Sequence, residues 1–139
     1  MNRVPRLCSN NGMNPAPGFA KYPRHRIEIA PSAAHVRVTC EGEVIADTRE
    51  AVEMRESTGE GKKTVAAVVY YIPRKDVRMD RLARSNHATH CPFKGDASYF
   101  SIVGGPADAA WSYETPYDEM LAIRERLAFY PDKLTIEAS

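Results

Sequence analysis

The chain has few of the features that announce a function. It holds three cysteines, Cys8, Cys40 and Cys91, an odd number at wide spacing, and no CxxC pair. That disfavours a disulfide framework and a standard structural zinc site, and fits reduced thiols in a cytoplasmic protein. No apolar run approaches the roughly 18 residues of a membrane span. The arginine-bearing N-terminus has no apolar stretch like that of a signal peptide, nor an amphipathic transit pattern. The formal net charge is only +1, so neither DNA nor RNA is expected as a partner. The GxxxxGK[ST] phosphate loop is missing, as is any paired-carboxylate motif on an obvious strand.

What is present is an ordinary globular composition. The chain is 139 residues long, with 43% hydrophobic and 27% charged residues. That length suffices for one core without a metal or disulfide staple. Charge is unevenly placed. Arg3, Arg6, Lys21, Arg24 and Arg26 precede Ile27 without one acid, whereas the last third is acidic. A basic tail can touch phosphate or membrane surfaces, or simply be solvated.

Residues 1–24, rich in Asn, Gly and Pro, read as an extended arm with little helix or sheet. Residues 25–139 read as a single β-rich domain. Ile27 and Ile29 alternate with polar neighbours, as do Val36, Val38 and Cys40, then Val44 and Ala46. This is the period-2 pattern of half-buried strands. Glu41-Gly42-Glu43 reads as a hairpin turn, and Ala51 to Arg55 as the next strand. A polar loop over 57–63 leads to Val65–Ile72, an apolar run suited to a central strand buried on both faces and stopped by Pro73. Helical turns are expected over Asp76–Ala83 and irregular chain over His87–Gly95. Further strands are expected over Ala97–Val103 and Ala109–Tyr113, separated by a Gly104-Gly105-Pro106 turn. Met120, Ile123 and Leu127 recur at helical spacing, predicting a helix over Asp118–Leu127. A short final hairpin is expected from Phe129 to Ile136. Strands with one late helix give a mainly β or α+β fold. Edge strands in a small sheet leave a homodimer open.

Three segments carry the chemistry-bearing residues. In Tyr70-Tyr71-Ile72-Pro73-Arg74, adjacent strand tyrosines point to opposite faces. Arg74 stands at the strand end, where its planar fork can clamp a carboxylate or phosphate or pair with Asp76 or another nearby acid. In Thr89-His90-Cys91-Pro92-Phe93-Lys94-Gly95, a thiolate at Cys91 would be a nucleophile if Lys94, His87 or His90 lowered its pKa. Otherwise Cys91 is a small buried hydrophobe. His87, His90 and Cys91 make at most a weak metal set. In Ala110-Trp111-Ser112-Tyr113-Glu114, Trp111 and Tyr113 share one strand face. With Tyr99 and either Tyr70 or Tyr71 they can wall an aromatic pocket for a flat or cationic ligand, with Glu114 and Arg74 as polar handles. The alternative is that these rings are core.

These segments, with Asn14-Pro15-Ala16-Pro17-Gly18-Phe19, GEVIAD at Gly42–Asp47 and AFYPD at Ala128–Asp132, resemble the domain-of-unknown-function 427 family. That family is also filed as nucleotidyltransferase-like. The resemblance implies antiparallel sheets similar to the β-tent or Mss4-like architecture, with a ligand or metal cleft between two sheets. Some members of that wider group use an aromatic cage, others a redox cysteine, and many carry two CxxC zinc knuckles that this chain lacks. The expectations are therefore a small-molecule-binding domain built around Tyr70, Tyr71, Arg74, Cys91, Lys94, Tyr99, Trp111, Tyr113 and Glu114, with Cys91 and Lys94 as candidate catalytic groups. The alternatives are a nucleotide-binding transferase using Lys94 and Arg74, a thiol enzyme, and a non-catalytic interaction module. No cofactor is named by the residues.

Overall fold

A computed structural model describes residues 14–57 and 68–139. Its strands are β1 (Arg26–Pro31), β2 (Val36–Cys40), β3 (Glu43–Thr48), β4 (Val52–Ser57), β5 (Val69–Tyr71), β6 (Leu82–Cys91), β7 (Gly95–Ile102), β8 (Ala110–Tyr113), β9 (Ala128–Phe129) and β10 (Thr135–Ala138). One helical turn, α1 (Gly18–Lys21), and three short 3-10 segments, Arg74–Asp76, Met79–Arg81 and Asp118–Ile123, complete it. The strands pair antiparallel in three sheets, ordered β1-β4-β5, β10-β2-β3 and β6-β7-β8-β9. The mainly β class expected from the alternating patterns is observed, and so are the antiparallel sheets that the family resemblance implies.

Residue alternation explains the layering. On β7, Phe100 and Ile102 feed one buried cluster with Val36, Val38, Ile45 and Leu127. Ala97 and Tyr99, on the opposite face, feed a second with Met54, Tyr71, Tyr113 and Ile123. The four-stranded sheet thus contributes apolar side chains from both faces, a consequence of the period of two along a strand. The β2–β3 hairpin closes through Glu41 and Gly42, both at positive φ (49° and 87°), as a two-residue turn of primed type demands.

Several elements differ from the sequence reading. The apolar run ending at Ile72 is not central in its sheet. Its described part, β5, is an edge strand of three residues, and Val65–Ala67 lie outside the described residues, as do residues 58–63 of the polar loop and the arm's first thirteen. Most of His87–Gly95 is not irregular: after His87 it continues β6 into the turn at Pro92–Lys94 and opens β7. The irregularity ends at His87. Arg84 pairs with Phe100 and Ala88 with Ser98, so Ser85, Asn86 and His87 stand opposite Tyr99 alone. Such a bulge bends its strand and re-aims side chains.

The helix expected over Asp118–Leu127 begins where predicted but is a 3-10 segment that ends at Ile123, with Met120 off helical geometry. The apolar period is satisfied differently. Met120 and Ile123 enter the second cluster, while Leu127 enters the first after Glu125 turns the chain at φ 63°. The turns over Asp76–Ala83 are two 3-10 turns, interrupted where Val77 bridges Ala46. The final hairpin is absent. β9 pairs with β8 and β10 with β2, because the turn after Tyr130 carries the chain from one sheet to another and buries Leu134. Within the arm, Gly18–Lys21 forms a helical turn, and Gly18 N–H donates to Pro92 O at 2.9 Å. No helix among the described residues is long and apolar enough to cross a membrane.

Candidate functional site

Three of the sheet edges converge. β5, β9 and β10 are each the last strand of a sheet, and around their meeting point lies a cavity of about 360 Å³. Its walls include Val36 and Val38 from β2, Tyr70 from β5, Trp111 from β8, Phe129 from β9 and Ile136 from β10. Edge strands pack here because a bridge between Ile72 and Leu127 ties β5 to the approach to β9. The size falls within the range of small-molecule sites. Trp111 Nε1 donates to the Tyr71 hydroxyl at 3.4 Å, so its indole presents an apolar surface. The Tyr70 hydroxyl has no hydrogen-bond partner among the described residues.

The expected site residues do not surround one hollow. Tyr70 and Trp111 line the apolar cavity. Tyr71 takes the opposite face of β5, as adjacent strand residues must, and is buried in the second cluster with Tyr113. Burial pushes both hydroxyls above the ordinary tyrosine value, and the neighbouring acidic groups push in the same direction. Tyr99 is buried too. Its hydroxyl meets Thr89 Oγ1 at 2.9 Å, and His87 lies against its ring at 4.4 Å.

Arg74 and Glu114 stand elsewhere, on the Phe100 side of the four-stranded sheet. They bind each other: Arg74 Nη2 donates to Glu114 Oε2 at 2.9 Å and to Ser112 Oγ at 3.2 Å. Arg74 Nε donates to Glu125 O at 2.6 Å. Arg84 forks onto the same carboxylate at 3.0 and 2.8 Å, and Ser98 Oγ donates at 3.0 Å. The hydrogen bonds from Arg84, then those from Arg74 and Ser98, outweigh burial and hold the Glu114 carboxyl down at about 2. Both guanidinium groups also lie over the Phe100 ring. Asp76, the other acid considered for Arg74, instead accepts from Thr48 Oγ1 at 2.7 Å.

Cys91 and Lys94 flank the β6–β7 turn. Gly95 completes it at φ 118°, where any Cβ would also press on Pro116 Cα at 3.3 Å. Lys94 Nζ is committed to Glu56 Oε1 at 3.0 Å, and His25 Nε2 reaches Glu56 Oε2 at 2.8 Å while its ring stacks on Phe93 at 4.0 Å. Burial would raise the Glu56 carboxyl, but Lys94 and His25 reverse that and hold it below its ordinary value. Half-buried Cys91 packs against the second cluster, and among the described residues no base is hydrogen-bonded to its thiol. His90 pairs with Asp96 and Tyr117 instead. The described residues contain no group of three His, Cys, Asp or Glu placed to hold a metal ion.

Sequence reasoning missed Arg84, Ser98 and Ser112 around Glu114, and Glu56 and His25 around Lys94. It also missed the aliphatic walls of the cavity. Ser98 and Ser112 carried a signal: they are polar residues on the inward face of strands, and directly opposite each other. Glu56 carried none, because its partners lie 31 and 38 positions away.

A family model described as "Domain of unknown function (DUF427)", NTP_transf_9, matches residues 28–139. No curated protein gives a significant match.

Proposed function

The chain belongs to the DUF427 family, whose description names no activity, and from the geometry we propose that it is a small-molecule-binding domain whose ligand is flat, largely apolar and carries one hydrogen-bonding group. The observation that carries this reading is the cavity of about 360 Å³ at the meeting of three sheet edges. Its walls are valine, isoleucine, proline and aromatic rings, and the Tyr70 hydroxyl is their one side-chain polar group without a partner among the described residues. An apolar pocket with few, placed polar groups is the usual form of such a site. Trp111 supplies a broad face against which a ring can lie. The Arg74–Glu114 pair acts here as a brace that fixes β8 behind Trp111. No observation among the described residues favours nucleotidyl transfer or thiol chemistry.

Trp111 is the sole tryptophan, so its emission reports the cavity directly. Titration with 1-naphthol should quench it saturably. Tyr70→Phe should weaken 1-naphthol and leave naphthalene unchanged. Val69→Phe or Ile136→Phe, each filling the cavity, should abolish both. An emission that no probe changes, or quenching that survives both filled variants in folded protein, overturns the reading.

A further inference from the structure

Behind the aromatic wall of that cavity lies a second hollow, of about 260 Å³, lined by His87, Tyr99, Asp108, Tyr130, Asp132 and Lys133. We infer that it is a binding site for a compact organic cation, an arylalkyl-ammonium or similar amine, with Asp108 and Asp132 as its counter-charges and tyrosine rings as its walls.

The first ground is uncompensated charge. Neither Asp108 nor Asp132 makes an ion pair among the described residues. Lys133 is the single permanent cation lining the hollow, and its ammonium donates to backbone carbonyls, Ala107 O at 2.8 Å and Asp108 O at 3.3 Å, and not to either carboxylate. Asp108 is held by the backbone, at φ 48°, with its N–H donating to Ser101 Oγ at 2.9 Å. Its Oδ1 is buried without a hydrogen-bond partner. That is an expensive state for a carboxylate unless a positive charge stands close by. Asp108 is one of the residues lining the hollow, where such a charge would sit.

The second ground is the wall chemistry. The electron-rich faces of Tyr99 and Tyr130 attract cations. Lys133 Nζ already lies 5.6 Å from the Tyr130 ring centroid. The bulge in β6 sets His87 over Tyr99 and so builds one side of the hollow. Burial, then Tyr99, then the nearby Asp132 and Asp108 raise the Tyr130 hydroxyl to about 12. It therefore remains a neutral donor, in a field already negative. An anionic ligand would meet two carboxylates, and a purely apolar one would strand them.

The test compares protonated phenethylamine with 2-phenylethanol, which has the same shape without the charge, by calorimetry and by ring-proton shifts of His87 and Tyr130. The amine should bind at least about tenfold more tightly. Asp108→Asn, which suits the left-handed backbone, and Asp132→Asn should each remove most of that preference and leave the alcohol unchanged. In the Val69→Phe variant the amine should bind as before. No binding of the amine, equal affinity for amine and alcohol, indifference to both asparagine variants, or loss of the amine in Val69→Phe overturns this assignment. The last result would place the amine in the apolar cavity instead.

Discussion

Trp111 and Tyr130 pack with ring centroids 4.5 Å apart and planes tilted by 42°, and each faces a different chamber: Trp111 the apolar cavity, Tyr130 the polar hollow. One aromatic pair therefore serves two surfaces of opposite character. A change on either side of the pair is felt in the indole's surroundings, which makes Trp111 emission a reporter for both chambers.

Glu114 should give the protein part of its acid sensitivity. Its native carboxyl sits at about 2 against an ordinary 4.5. Between those values the unfolded state holds more protons than the native one, so stability falls as the medium is acidified. The contribution is complete above about pH 4.5 and is lost on approaching pH 2. Glu114→Gln leaves two guanidinium groups short of an acceptor. It should cost about 1–3 kcal/mol at neutral pH, with solvent screening limiting the loss. Urea unfolding at about pH 7 and about pH 3 should show the variant's deficit shrinking in acid; a deficit equal at both would refute the charge argument.

Lys94 and Glu56 should be energetically coupled. Their side chains are 14% and 25% exposed, so neither charge is fully hydrated when its partner is removed. Lys94→Met and Glu56→Gln should each destabilise by about 2–4 kcal/mol, and the double variant by less than the sum. A double-mutant cycle in urea should return a coupling of at least about 1 kcal/mol. Strict additivity would mean the pair is ornamental.

Gly18 should govern docking of the N-terminal arm. A Cβ there would lie 2.7 Å from the Phe93 ring and 2.9 Å from Pro92 O, a ring and a backbone atom that cannot both retreat. Gly18→Ala should therefore loosen the arm by about 1–3 kcal/mol. Trypsin should cut after Lys21 and Arg24 faster in the variant, while urea unfolding of the remainder changes little. Unchanged cleavage would show that the arm is held without this contact.

The strands were legible because burial on one face imprints alternation, as at Val36/Val38 and Ala97/Tyr99. The Glu41-Gly42 turn was legible because positive φ restricts the residues that fit. The opposed faces of Tyr70 and Tyr71 followed from strand geometry alone. What misled was periodicity without its cause. Met120, Ile123 and Leu127 satisfy a helical period, yet they serve two clusters. The candidate site failed to assemble for a related reason. Arg74 and Glu114 lie on the opposite face of the four-stranded sheet from Trp111 and Tyr113, and nothing in the residue types of a sequence says which face a strand end will meet. The cavity itself is made of ordinary aliphatic residues, and its existence depends on where three sheets stop.

The three-against-one mismatch between β6 and β7 has a further effect on how the molecule meets its neighbours. β6 is the outermost strand of its sheet, and a rim of that kind ordinarily invites another chain to add on. Here the strand's regular register with β7 is broken after Arg84 and resumes only at Ala88, and such a bulge bends and twists the rim. An incoming segment finds two short, misaligned stretches flanked by ionisable groups, so fibril growth or strand exchange along this rim is discouraged by the backbone itself.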